Sequence, residues 1–255
     1  MNPEGYPTPT KPPVISVVIP ARDEEEDIER TILQFKALTL PHEVIVSDGK
    51  STDATTVRAK AAGAQVVLNS DNTRTAAKQR NDGAKIARGE FIVFIDTTVM
   101  LPEINSFFTC ALTLFKNDSS LVGLSAPQWI QPHLETSADR FFLTLINWLL
   151  RFQNNTLKKG AASGKFQMIR REAFEKAGGY PEKLVTGEDH EMFVQLTKIG
   201  RTHTERSLYI YYDGRREHAW GWPKLLWYWI RDTVAIAATG KSASADWAPV
   251  SKTSV

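Results

Sequence analysis

The chain has 255 residues and a formal net charge of +2, from 31 Lys+Arg against 29 Asp+Glu. With 42% hydrophobic and 24% charged residues, the composition is that of a folded chain with a sizeable core and excludes a disordered or collagen-like one. The near-balance of charge gives no electrostatic case for nucleic acid as the main partner.

Residues 1–13 hold five prolines and no periodic pattern, so they read as a flexible leader without the apolar h-region of a secretory signal. Residues 14–19 are continuous, apolar and β-branched, ending at Pro20, which predicts a buried parallel strand. Helical spacing follows over 24–38, with Ile28, Ile32, Leu33 and Phe35 on one side. A short strand over 44–46 runs into the polar turn 47–53. A helix over 54–62 is closed by Gly63. A strand at 65–68, a helix at 75–87 stopped by Gly89, and a strand at 91–95 ending at Asp96 complete the first half. Strand and helix alternating with short links predict an α/β fold with a mostly parallel sheet. Ligands of such sheets bind beyond the carboxyl ends of the strands. The loops at 20–24, 47–53 and 96–98 are thereby nominated for one site.

The second half is less regular. A helix is expected over 102–115, a strand over 121–126 and an apolar helix over 138–152. The single cysteine, Cys110, lies in the apolar run 107–115. It reads as a buried small hydrophobe, excludes an intramolecular disulfide and fits a reducing compartment. Next come a strand at 166–170, a helix at 171–177 closed by Gly178-Gly179, a helix at 188–199 and a mostly extended stretch at 202–212. Residues 240–255 read as a loose tail. The whole of 14–239 is expected to form one domain, with 14–100 binding nucleotide and 101–239 binding acceptor. No segment reaches the about 20 apolar residues of a spanning helix. The run 141–150 ends at Arg151, and 225–238 is interrupted by Arg231 and Asp232. Trp220, Trp222, Trp227, Tyr228 and Trp229 crowd the start of that second run, an arrangement that suits a membrane surface and a core cap equally.

Five strings carry chemistry. Arg22, Asp23 and Glu24 follow the first strand, where acids 23–26 also suit the N-terminus of a helix. Asp48-Gly49 follows the second. Ser51 and Asp53 are placed to cap the next helix, which leaves Asp48 free to accept hydrogen bonds from a base or ribose. Lys78 and Arg80 lie on the helix before Asp96, and an anionic diphosphate needs divalent metal, basic groups or both. Glu188-Asp189 opens a helix after Gly187, as a cap or as a general base. Arg215, Arg216 and His218 share an expected loop, as a solvated basic turn or with a phosphate or metal role.

Taken in order, these strings resemble the family 2 glycosyltransferases of the GT-A fold, over residues 14–225. The resemblance implies that Pro20, Ala21, Arg22 and Glu24 form the first nucleotide-binding loop and that Asp48 contacts base and ribose. Arg80, before Asn81 and Gly83, matches the basic position of the family's Arg-Asn-x-Gly pattern, and Asp96 matches the first acid of its metal-binding Asp-x-Asp. The string 164–180 is similar to the acceptor-side strand and helix. Glu188-Asp189 matches the Glu-Asp pair whose Asp is the catalytic base, and Arg215-Arg216 resembles the late motif near the donor diphosphate. The implied reaction is inverting, metal-assisted (Mg²⁺ or Mn²⁺) transfer of a sugar from a nucleotide-sugar donor, UDP-linked by preference, to an acceptor hydroxyl. A lipid-linked or glycan acceptor, peripheral membrane contact and a cytoplasmic location, with the inner membrane face included, belong to the same expectation. The chain departs from the pattern at Thr98, where the second acid of Asp-x-Asp stands in the family. Asp96 with diphosphate and water then suffices, or His218 completes the shell and favours Mn²⁺, or metal is held poorly. The last outcome is a degenerate sugar-nucleotide-binding protein. A nucleotidyltransferase is the rival enzyme, disfavoured by the lack of glycine in 20–27.

Overall fold

The computed structural model describes residues 12–69 and 75–244. The expected leader therefore lies almost wholly, and the tail from 245 on wholly, outside the described residues. In the first half, β1 (Ile15–Ala21), β2 (His42–Asp48), β3 (Gln65–Leu68) and β4 (Phe91–Ile95) alternate with α1 (Ile28–Leu33), α2 (Thr55–Ala62) and α3 (Ala76–Lys85). The second half runs α4 (Ile104–Asn117), β5 (Leu121–Ser125), β6 (Gln128–Ile130), α5 (Ser137–Arg151), β7 (Phe166–Arg170), α6 (Arg171–Ala177) and α7 (Glu188–Leu196). It closes with β8 (Arg201–Thr204), β9 (Ile210–Tyr212), α8 (Arg215–Trp220) and α9 (Trp222–Thr239).

Seven strands form one sheet in the order β3-β2-β1-β4-β7-β5-β8. β1 is parallel to β2 and β4, β2 to β3 and β5 to β8, while β7 runs antiparallel between β4 and β5. β6 and β9 make a separate parallel ribbon, joined to the loop after β4 by a bridge between Met100 and Tyr211. β1 is buried throughout because both its faces are covered. Val17 and Ile19 join Phe35, Phe108 and Val93 in one core. Val18 joins Ile92, Phe94, Phe174 and Phe193 in the other. Helix α3 lies directly on β1, because a Cβ on Gly83 would overlap Val18 Cγ1. That close approach accounts for the glycine in the Arg-Asn-x-Gly string. From β3 at the sheet edge the chain crosses back to β4 on the far side of β1. The strand order thus reverses between β1 and β4, which opens a crevice at their carboxyl ends.

Several expectations change in detail. The helix expected over 24–38 starts only at Ile28 and tightens into a 3-10 turn over Gln34–Ala37. Its first acids are engaged by the loop after β2. The extended stretch 202–212 divides between the two sheets, because Glu205 accepts from the Ser207 backbone N–H and hydroxyl and turns the chain between them. Arg215, Arg216 and His218 stand in a helix rather than a loop. Cys110 is half-buried, with its Sγ 3.7 Å from Ser207 Oγ. Residues 240–244 are tied down: Ser242 Oγ accepts from Val185 N–H at 3.1 Å, and Ser244 Oγ donates to Asp232 at 2.6 Å. The tryptophan group divides. Trp222 is buried, stacked on Phe142 at 5.0 Å and bonded through Nε1 to Asp139, whereas Trp227 faces solvent. Among the described residues no helix is long and apolar enough to cross a membrane.

Candidate active site

The first two nominated loops interlock. Ala21 and Asp48 stand opposite each other at the ends of β1 and β2, with Pro20 one residue before, and the Ala21 carbonyl accepts from Gly49 N–H at 2.8 Å. Asp23 and Glu24 donate their backbone N–H groups to Ser51 Oγ and Thr55 Oγ1 at 2.9 and 2.8 Å, and Glu25 donates to Asp53. Glu25 in return accepts from Ala54 N–H. At the start of α2 the Asp53 carboxylate accepts from Thr55 N–H at 2.9 Å, as expected of a cap, whereas Asp27 at the start of α1 makes no side-chain cap bond. Ser51 joins loop to loop, and Asp53 does so through its second oxygen. Asp23 adopts φ 54° and Lys50 φ 63°, so the crossing is built partly from left-handed residues. Arg22 lies beside Asp23, Nε to carboxylate 3.9 Å. Asp48 is buried. One of its oxygens accepts from Ser51 N–H at 3.1 Å, and the other, Oδ1, has no hydrogen-bond partner among the described residues. An unpaired buried acceptor is costly unless a ligand supplies its donor.

The third loop meets the second half of the chain at Arg80. Its buried guanidinium donates through Nη1 to Glu188 at 2.6 Å and through Nη2 to Asp96 at 3.1 Å. Nη2 also points at the Gly164 carbonyl at 3.3 Å. At Gly164 a Cβ would stand 2.5 Å from Arg80 Nη2 and 3.3 Å from Asp189 Oδ2, so only glycine leaves room for both side chains. Gly187, at φ +77°, turns the chain so that Glu188 and Asp189 open α7 toward this point. Asp189 is fixed twice: its Oδ1 accepts from His190 N–H at 2.8 Å and its carbonyl from Gln167 Nε2 at 3.0 Å. Tyr180 supports the arrangement. Its hydroxyl donates to Gln167, its ring lies 5.4 Å below the Arg80 guanidinium, and its backbone is clamped by Asn81. Lys78, by contrast, is turned to Asp82 at 2.6 Å.

Burial, and then the neighbouring charge of Asp189, push the Glu188 carboxyl up to about 7 against the pull of Arg80. Burial works against the charge on Arg80, but Glu188 and Asp96 outweigh it and hold the guanidinium ionised. A carboxyl raised in the fold binds its proton more tightly there than in the unfolded chain. Its contribution to stability is therefore full below its unfolded pKa of 4.5 and is lost as pH rises through about 7. Unfolding free energy should fall across that window by about 3 kcal/mol more in the wild type than in Glu188→Gln, which urea titrations at several pH values would measure.

The late basic string closes the crevice. Arg215 donates through Nη2 to both oxygens of Glu24 at 3.1 Å and holds Asp213 through Nε at 2.9 Å. Burial raises the Glu24 carboxyl, opposed by Arg215 and by a hydrogen bond from Thr97. Loop 96–98 is itself fixed by the Thr31 hydroxyl, which donates to the Thr97 carbonyl, and by Gln34, which bonds the backbone of Val99 and Leu101. Burial pushes Arg216 down to about 10, against the charges of Glu217 and Asp96, and its guanidinium lies 4.9 Å over the Trp220 ring. Pro20, Ala21, Arg22, Glu24, Asp48, Arg80, Asp96, Glu188, Asp189, Arg215 and Arg216 thus all stand on the strand ends, loops and helices around one crevice. His218 does not join Asp96: its Nε2 lies 3.0 Å from Asp139, in the N-terminal cap of α5. The expected Asp96–His218 metal pair is corrected accordingly, because α8 turns His218 toward α5. Gly164, Gln167 and Tyr180 lie in the string 164–180 that resemblance placed on the acceptor side, but their individual roles, through contacts with residues distant in the chain, had no sequence signal.

Among the described residues no three His, Cys, Asp or Glu side chains converge on a cation position. Thr98 is buried, whereas the Asp96 side chain is 38% exposed and gives Arg80 one oxygen. Mg²⁺ and Mn²⁺ are commonly held by one or two carboxylates together with substrate phosphates. The donor set fits a cation shared with a diphosphate and does not fit a protein-only cage.

Known glycosyltransferases are similar to this chain in sequence and in fold. The glucosyl-3-phosphoglycerate synthase of Mycolicibacterium paratuberculosis is 38% identical over 97 residues, which cover 35% of this chain and 30% of that protein. The mannosyltransferase of Pyrobaculum calidifontis, solved with GDP-Man and Mn²⁺, superposes with a TM-score of 0.65 at 20% identity, covering 89% of this chain and 67% of that one. The glucosyl-3-phosphoglycerate synthase of Mycobacterium tuberculosis, solved with Mn²⁺, UDP and glucosyl-3-phosphoglycerate, gives a TM-score of 0.58 at 21% identity, covering 91% and 82%. The chain matches less than two thirds of the length of its curated relatives. The fold is that of the GT-A glycosyltransferases. The family model for glycosyl transferase family 2 matches residues 16–178, more than half of the chain, which therefore belongs to that family.

Proposed function

We propose that this glycosyltransferase moves a sugar from a nucleotide-sugar donor, UDP-linked by preference, onto an acceptor hydroxyl with inversion at the anomeric carbon. The observation that carries this reading is Arg80, which spans Asp96 at the end of β4 and Glu188 beside Asp189. It couples the strand ends where a nucleotide binds to the helix that presents a base. The nucleoside sits over Pro20, Ala21 and Arg22, with the unpartnered Asp48 Oδ1 accepting from base or ribose. Glu24, held by Arg215, and Arg216 border the diphosphate. A divalent cation, when bound by Asp96 and the diphosphate, neutralises charge on the leaving group. Asp189 takes the proton of the acceptor hydroxyl as that oxygen bonds to the anomeric carbon and the bond to the diphosphate breaks. Glu188 positions Arg80.

The acceptor is a glycan, free or lipid-linked. An open cleft of about 260 Å³ between the β6–β9 ribbon and the start of α5 supports this reading. It is lined by Trp129, Tyr209 and Tyr211 and edged by the Glu135–Arg140 ion pair. Aromatic faces beside charged hydrogen-bonding groups suit sugar rings. The lone Cys110 thiol accords with a cytoplasmic location. The test is release of nucleoside diphosphate from a panel of UDP- and GDP-sugars with Mn²⁺, with NMR of the product. A product of inverted anomeric configuration is expected. Retained configuration would overturn the displacement mechanism, and failure to turn over any donor would overturn the reading as a whole.

A further inference from the structure

Two helices in contact each carry an apolar stripe that faces water. On α5, Phe141, Leu145 and Trp148 fall on one side of the helix, followed by Phe152 just past its end, with Phe141 65% and Trp148 50% exposed. On α9, Trp227, Ile230 and Val234 do the same at 63%, 58% and 62%. These are not core positions left uncovered. Each helix already buries another side, Leu143 and Asn147 on α5, Trp222 and Leu225 on α9. An exposed apolar surface beyond that face marks a binding surface.

The charges around the stripes select the occupant. Lys158 and Lys159 after α5, Lys224 on α9 and Lys241 after it are all exposed. The only acids in residues 137–159 and 222–244 are Asp139 and Asp232, and both are buried. Asp139 is engaged by Thr136, His218 and Trp222, and Asp232 by Thr186, Arg231 and Ser244. A second copy docking through the same helices would set lysine against lysine with no exposed carboxylate to answer it. A bilayer containing anionic lipid offers both an apolar interior and the opposite charge. Because α9 does not cross a membrane, it would lie along the interface.

We propose that α5 and α9 dock this protein onto the surface of an anionic lipid bilayer. Their aromatic and aliphatic stripes sit at the boundary of headgroups and acyl chains, and the flanking lysines face lipid phosphates. α9 follows α8, which carries Arg215 and Arg216, so one wall of the active-site crevice continues directly into the docked helix. The inference does not depend on the transfer reaction, and its readout needs no turnover.

Vesicle flotation with phosphatidylcholine alone and with added phosphatidylglycerol tests it, together with tryptophan fluorescence. The protein is expected to float with the phosphatidylglycerol vesicles, with a blue-shifted emission, and to be released by salt. The pairs Phe141→Ser with Trp148→Ser, and Trp227→Ser with Val234→Ser, should each lower partitioning by roughly tenfold or more. Lys158→Glu with Lys159→Glu should remove the preference for anionic lipid. Circular dichroism and urea unfolding of each variant verify its fold. Failure of the wild type to float with either vesicle would overturn the proposal, as would unchanged flotation of folded stripe variants. Concentration-dependent dimerisation that buries Trp148 and Trp227 and competes with vesicle binding would overturn it in favour of a second copy.

Discussion

Asp189→Asn is expected to lower turnover by about 10²–10⁴-fold while leaving donor affinity near that of the wild type. The amide keeps the shape and the hydrogen bond to His190 N–H but cannot take a proton. Its neighbours do not depend on its charge for position: Gln167 grips the backbone carbonyl, and Gly164 leaves room for either side chain. The separation of effects is the informative part. A loss of turnover with intact UDP binding identifies a proton acceptor, whereas a parallel loss of both would assign Asp189 to the donor site. Steady-state kinetics with a calorimetric UDP titration of the same preparation make the distinction. Near-normal turnover would remove Asp189 from the mechanism.

Arg80→Met is expected to cost about 1–3 kcal/mol of stability, because it leaves the buried Glu188 carboxyl without its hydrogen-bond donor and pushes it further up, so that it is held neutral. Arg80 is itself buried, and two of its nitrogens take carboxylates from different parts of the chain. Arg80→Lys should restore only part of the loss, since a single ammonium cannot span Glu188 and Asp96 in the geometry of a guanidinium. Adding Glu188→Gln to Arg80→Met should remove the pH dependence of that loss without recovering activity, because it removes the titrating carboxyl but not the need for a cation near the diphosphate. Urea unfolding of the four proteins reads the first effect and turnover the second. Equal stability of Arg80→Met and the wild type would show that the bridge does not hold α7 against the sheet.

The order of strands and helices in the first half was legible because β1 and β4 are continuous apolar runs and the turns between elements are short. The same logic named the three loops at the strand ends, and they do converge. The roles of the residues in those loops were less legible. Ser51 and Asp53 have the chemistry of helix caps, and Asp53 does accept from the first N–H of α2, yet both also bond a loop about 28 residues earlier in the chain, a contact with no local signature. The pairing of Arg215 with Glu24 joins residues 191 positions apart, and only resemblance to a family brought them to one site. His218 shows the opposite failure. Proximity in sequence to Arg215 and Arg216 suggested a shared ligand, but in a helix it faces Asp139 instead. Gly164 carried no signal of its own, because its importance is the space it leaves for Arg80 and Asp189.

The central claim is that Asp96, Asp48 and the arginines around them form a site for a nucleoside diphosphate that a divalent cation completes. Calorimetric titration of UDP into the protein, with and without Mn²⁺ and with GDP as comparison, tests it most directly. The account predicts UDP binding that strengthens with Mn²⁺ and loses that dependence in Asp96→Ala. Binding of neither nucleotide, or binding indifferent to both Mn²⁺ and Asp96, would contradict it.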